Sequence, residues 1–498
     1  MTTITGAFLR GPGTELLPGH GPYDVFVDDG LIADIAPAGA LQPRGAVIDA
    51  AGRFLIPGLW DHHVHTTQWA LAAQRVDLGG TMSPADAARL VAASPVLPDG
   101  RRVGAGYRDA LWAERPTLAQ LDELTGDTPA YLVNADAHSM WLNSAAQRRE
   151  GIATQPIDGV DDGILREEPA FEVSKRLNAV DPRIGDRLVE RMAMDAASRG
   201  VVGIVDLDMA WNEEAWARRL ADGFDTLRVE FGVYPDLLLR ALAEGLRTGD
   251  TVRGADSDLV TVGPLKVITD GSLGTRTAAA SRAYAGDPGN HGMLAVAPAD
   301  LVELMAAATR GGLRCAIHAI GDVANSRALD AFAATGAWGT IEHAQLVAHA
   351  DIPRFARLGV AASVQPAHAL DDRDMADRLW AAQTSLAYPL RSFVDAGATV
   401  VLGSDAPVSP LDPWAAISAA VFRTRAGREP WHPEEAVDAA TALAASTHGG
   451  SATPDALSPG TRADLALCDA DPMGADEPAL RTMRVSATLV GGRLTYGG

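Results

Sequence analysis

The stretch Asp61-His62-His63-Val64-His65 sets three histidines into four positions of a chain that holds 12 in 498 residues. Side chains at i and i+2 of an extended strand share one face, so His63 and His65 can reach a single metal ion while His62 points away. An H-x-H pair alone is common on surfaces and in cores. Residues of matching chemistry sit in later apolar runs: Lys266 in 262–269, His318 in 313–320, His343 in 339–347, and Asp405 within Ser404-Asp405-Ala406 in 398–406. Singly, these read as a surface or ion-paired lysine, two core histidines bonded to backbone, and a cap on the turn before Pro407. Together, at or near the C-terminal ends of successive strands, they read as a metal site, because barrel loops build active sites at that end.

The elements that must position them are eight short, continuously apolar runs: 53–60, 200–207, 227–234, 262–269, 313–320, 339–347, 359–366 and 398–406. Such runs fit strands buried on both faces. The segments 299–312, 323–336 and 351–359 read as crossover helices between them. The predicted fold class is therefore α/β, a (β/α)8 TIM-like barrel over 53–454. About 140 residues separate the first two runs, too many for an ordinary connection. Residues 66–195 are accordingly predicted as an inserted subdomain over the site. Residues 1–52 and 455–498 alternate short strands and turns, as in YDVFVDDGLIADIAP and VSATLVGGRLTYGG. They are predicted to pair into one small β-sandwich-like domain, the alternative being two separate appendages.

Composition narrows the partners. A formal charge of −22 repels phosphate backbones and anionic lipid, so no nucleic acid and no membrane is expected. No run approaches the roughly 18 apolar residues of a span, and the N-terminus lacks a signal-peptide pattern. A cytoplasmic protein acting on a small-molecule substrate is expected, with a homodimer as the candidate assembly. Cys315 and Cys468 lie far apart inside apolar runs and read as buried thiols.

The chain resembles the amidohydrolase superfamily, and within it the amidohydrolase 3 or YtcJ-like branch, over nearly its whole length. The resemblance rests on LIPGLWDHHVH, HSMWLNSAA, KVITDGSLGTRTAAASRAY, IHAIGD, IEHAQ, LGSDAPV, GTRADLALCDADP and VSATLVGGRLTY. It implies that His63 and His65 hold one metal with Asp405, that His318 and His343 hold a second, and that Lys266 bridges both as a carbamate derived from CO2. A direct lysine contact or a mononuclear site are the alternatives. Two Zn2+ per chain suit these donors best, with Mn2+, Fe2+ or Co2+ as substitutes. Such ions lower the pKa of bound water toward roughly 7 and polarise a carbonyl. Asp405 is then placed to take the water's proton and hand it to the leaving group.

On the substrate side, Arg276 in the Gly-rich segment after Lys266 is expected to bind a carboxylate or carbonyl, or else to shape its loop through a salt bridge. His138 and Trp141 are expected to face the site, Gln365 and His368 to line it, and Trp69 and Trp112 to form an aromatic wall or to pack in the core. The leading expectation is hydrolysis of a non-peptide C–N bond in an amide, an N-substituted formamide, or a cyclic amide or urea. A lactonase, esterase or phosphotriesterase uses the same metals. A heterocycle deaminase of this superfamily has a glutamate three residues after the fifth-strand histidine, where this chain has Gly321. A non-catalytic scaffold is the remote alternative, set against six filled ligand positions.

Overall fold

Each of the eight apolar runs contributes a strand of one parallel sheet: β1 (Leu59–Val64), β2 (Val201–Asp206), β3 (Arg228–Val233), β4 (Val260–Ile268), β5 (Cys315–Ala319), β6 (Gly339–His343), β7 (Val360–Val364) and β8 (Val400–Leu402). They are neighbours in this order in a computed structural model that describes every residue except 18, 20, 73, 153–159, 255–256 and 498. Every residue of β1, β2 and β5 is buried, as strands covered on both faces require, and in β1 that includes Asp61, His62 and His63. The barrel is nearly closed. The last seam is a single parallel bridge between Val64 and Ala406, flanked by Asp405 N–H to His63 O at 2.7 Å and His65 N–H to Ala406 O at 2.9 Å.

The connections obey local rules. Pro298–Gly311 begins with proline, whose missing N–H costs nothing in the first turn, and ends on Gly312 in the left-handed region. Asp322–Thr335 likewise stops at left-handed Gly336. Among the described residues no helix is long and apolar enough to cross a membrane. Cys315 and Cys468 are both free and buried.

The first apolar run divides at Gly58, which differs from the expectation that all of 53–60 serves the barrel. Phe54–Pro57 pairs with Phe8 and Leu9 on one side and with Leu465–Cys468 on the other. Only from Leu59 onward does the chain join the barrel. A Cβ at Gly58 would lie 2.3 Å from Val202, so glycine is required where one strand passes directly into the next sheet. Strands from both chain ends thus share one sheet, and Ile4, Val25, Leu55, Leu465, Leu467 and Leu489 pack into a common core.

The long connection after β1 builds a separate six-stranded sheet from Val76–Asp77, Arg102–Tyr107, Ala130–Asn134, Ser139–Leu142, Val160–Asp161 and Ile164–Arg166. Its flanks belong to the barrel instead. Trp69 and Leu71 of helix Thr66–Ala72 pack in the barrel core with Leu188, Val189 and Ala193 of helix Pro182–Ala197. The extra sheet is therefore narrower than the expected 66–195, because the two helices that enter and leave it do the work of the β1–β2 crossover.

Candidate metal centre

The C-terminal ends of β1, β4, β5, β6 and β8 bring six predicted residues to one place. His63 is the last residue but one of its strand and His65 follows it; Asp61, also on β1, accepts from the N–H groups of His63 (3.1 Å) and Ser404 (2.9 Å), which fastens the first strand to the last loop. Asp405 consequently faces both histidines, its Oδ1 lying 3.5 Å from His63 Nε2 and 3.2 Å from His65 Nε2. Lys266 Nζ is 3.1 Å from His63 Nε2 and the side chain is 1% exposed. The His343 ring lies 4.8 Å from that of His63 and 4.6 Å from that of His318. Ligand atoms of His63, His65 and Asp405 all fall within 4.8 Å of one another. Those of His343, His368 and Asp405 do the same, which brings His368 closer to the centre than a pocket-lining role requires. His318 Nε2 instead sits 3.4 Å from Oδ1 of fully buried Asp270.

Hydrogen bonds behind the rings decide what they offer a cation. His63 Nδ1 donates to Glu342 Oε2 at 2.7 Å, and His343 Nδ1 donates to Gln365 Oε1 at 2.9 Å. Both leave Nε2 as a lone-pair donor toward the centre. Burial and the neighbouring Lys266 pull the His63 imidazolium pKa down to about 4, burial sends His343 well below its ordinary value, and His318 moves the same way. Although burial opposes it, the surrounding imidazoles hold the Asp405 carboxyl well below the usual range. Lys266 is brought down to about 8 by burial, against the pull of Glu342 and Asp405. Neutral imidazoles beside an ionised carboxylate are the donor set a divalent cation needs, so these residues fit a metal.

Glu342 was not singled out from sequence, although it stands next to His343 in IEHAQ. Burial would raise its pKa, yet the His63 hydrogen bond and Lys266 hold it down to about 2. Glu342→Gln keeps the shape but replaces the anion behind His63 with a neutral amide. Metal affinity should weaken by about 10–100-fold, the usual cost of removing such a partner. Competition with a chromophoric chelator reads this directly, and unchanged affinity would refute the role.

Two centre residues sit in the left-handed backbone region, His343 at φ 72° and Asp405 at φ 57°. Each such position costs about 1–3 kcal/mol and is held by its surroundings. The Ala344 N–H to Ala319 O bond at 3.1 Å and the Asp405 N–H bond to His63 hold these two.

The substrate-side residues divide. His138 lines the cavity beside His318, His343 and Asp405. Its Nδ1 donates to Glu167 Oε2 at 2.9 Å, and although burial opposes protonation, Glu167 raises its pKa to about 9. Trp141 does not face the site. Strand Ser139–Leu142 alternates, so Met140 and Leu142 pack on one side while Trp141 joins Leu132, Tyr107 and Trp112 in a core on the other. Trp69 and Trp112 are likewise core residues. Gln365 does not line the pocket; its carbonyl orients His343 from behind. Arg276 lies outside the metal cavity and lines a neighbouring one, and its guanidinium has no salt bridge among the described residues.

Histidines, a lysine and a carboxylate converging on the C-terminal mouth of a parallel barrel define a metal-dependent hydrolase of the α/β-barrel class. The chain belongs to the amidohydrolase family, whose model matches residues 46–496. It is 28% identical to Protein LONG AFTER FAR-RED 3 of Arabidopsis thaliana, over 90% of this chain and 83% of that one. It is 27% identical to the N-substituted formamide deformylase of Arthrobacter pascens, over 95% of this chain and 94% of the enzyme. The solved structure of an uncharacterized metal-dependent hydrolase from Pyrococcus horikoshii OT3 shares the fold, with a TM-score of 0.79 at 24% identity, covering 96% of this chain and 99% of the other.

Proposed function

We propose that this protein is a cytoplasmic amidohydrolase that cleaves a non-peptide C–N bond in a small molecule, with N-substituted formamides as the first substrate class. The observation that carries the reading is the convergence of His63, His65, Lys266, His318, His343 and Asp405 on one buried centre. Similarity to a formamide deformylase along nearly all of both chains supports the choice of bond.

In this reading His63, His65 and Asp405 would hold one Zn2+, and His318 and His343 would hold a second. Lys266, whose amine is brought toward neutrality by burial, would supply a further anionic donor as its CO2-derived carbamate. Such ions supply a Lewis acid for a carbonyl oxygen and make water acidic near neutral pH. The chain's own groups do the rest. His138, held protonated by Glu167, donates a hydrogen bond to the substrate's carbonyl oxygen from the cavity wall. Asp405, ionised, takes a proton as the water oxygen bonds to the carbonyl carbon, then returns it to the departing nitrogen as the C–N bond breaks.

A ring-protonating glutamate cannot be accommodated at the deaminase position. A Cβ on Gly321 would lie 2.0 Å from Ala279 O, so no side chain fits there. The deciding experiment is a panel of aryl and alkyl formamides, N-acyl amines, cyclic ureas and lactones, assayed with Zn-loaded protein. Release of amine and formate from a formamide is expected. Turnover confined to lactones would overturn the proposed bond.

A further inference from the structure

A second cavity, about 590 Å3 in volume, lies between the inserted sheet and the loop after β4. It adjoins the metal pocket at Gly274, which lines both. A Cβ there would lie 2.5 Å from Asp136 Oδ2, so only glycine lets the Asp136 carboxylate pack against the backbone where the two cavities meet. The larger volume therefore lies beside the metal pocket, separated from it at Gly274.

The cavity's charges are engaged unequally. In a chain of net charge −22 it gathers four arginines and four acids. Asp109 accepts from Asn134 Nδ2 at 2.8 Å, and its carboxyl pKa is raised by burial and by Asp136. Asp162 accepts from Leu118 N–H at 3.2 Å. Arg378 reaches the Ala110 carbonyl, and Arg115 is exposed at the rim. Arg166 and Arg276 differ. Both are half-buried, and neither guanidinium has a hydrogen-bond or ion-pair partner among the described residues, although Arg166 feels the charge of Asp109. Arg276 is also presented from a left-handed backbone at φ 58°, an unfavourable conformation for a long side chain. Five N–H donors on a planar fork, partly desolvated and unclaimed, match a carboxylate.

We infer that this cavity is a subsite for a carboxylate at the distal end of the substrate, bound by Arg166 and Arg276. The inference rests on the metal pocket being an amide-cleaving site, and it narrows the substrate to an amide carrying a remote carboxylate.

The test separates binding from turnover. Non-hydrolysable methyl-ketone carboxylates of increasing chain length are titrated calorimetrically into the Zn-loaded holoenzyme, each against its methyl ester. At one chain length the carboxylate should bind at least about tenfold more tightly than the ester, as expected of a charge-assisted bidentate contact. Arg276→Gln and Arg166→Gln should each shrink that difference and leave the ester's Kd unchanged. Equal binding of acid and ester at every length, or a difference that survives both substitutions, overturns the subsite. The matching ω-formamido acids are assayed in parallel. A carboxylate preference without hydrolysis keeps the subsite and removes the amidase reading; hydrolysis without preference does the reverse.

Discussion

Asp405→Asn should lower kcat by about 10²–10⁴-fold, the range that a positioned general base supplies. The substitution changes no volume and keeps one carbonyl oxygen, so His63 and His65 retain a third donor and most of the metal should remain. What disappears is the ability to carry a proton. In the native chain burial would neutralise this carboxyl, but the imidazoles of His63, His65 and His343 keep it ionised well below neutral pH. The measurement is kcat together with divalent ions per chain on the same preparation. Retained metal with turnover near the native level would remove Asp405 from the chemistry.

Stripping the metal with a chelator should abolish turnover by at least about three orders of magnitude, and stoichiometric Zn2+ should restore it. Stability should fall as well. Without a cation the centre retains Asp405 and Glu342 as buried carboxylates, with Lys266 brought down to about 8 and imidazoles that burial keeps neutral. A ligand present at 1,000 times its Kd contributes about 4 kcal/mol to the folded state. The thermal midpoint should therefore drop by several degrees on stripping and recover on reloading. Activity that survives complete removal, confirmed by elemental analysis, would mean that the histidines serve another purpose.

Much of this architecture was legible because the strands of a parallel barrel are buried on both faces and must be apolar throughout. That signal does not depend on knowing which strand lies beside which. The residues that converge on the candidate metal centre were legible for a related reason: each lies in, or just after, an apolar run near a strand's C-terminal end, and those ends share one mouth. What stayed hidden depended on partners across the sheet or behind it. Gln365 looked like a pocket residue and turned out to hold His343, because side-chain direction at the β7 exit is set by tertiary packing. Glu342 was overlooked although it sits beside a named histidine, since its function lies in a bond to His63 279 positions away. Trp141 was misjudged although period-2 alternation in its own strand carried the answer. The passage from one sheet to another at Gly58 had only a glycine to mark it, in a run that looked uninterrupted.

That passage bears on how the protein is made. Phe54–Pro57 is held between Phe8–Leu9 and Leu465–Cys468, and Arg10 bonds to Asp471, 461 positions later. During synthesis Phe54–Pro57 can pair with Phe8–Leu9 early, but it meets Leu465–Cys468 only after the roughly 400 residues between them have emerged. Contacts of such separation form slowly, and until then the strand edges stand open. Residues 465–471 therefore complete this sheet. A chain released before them would lack the clamp on the segment that leads straight into His63 and His65.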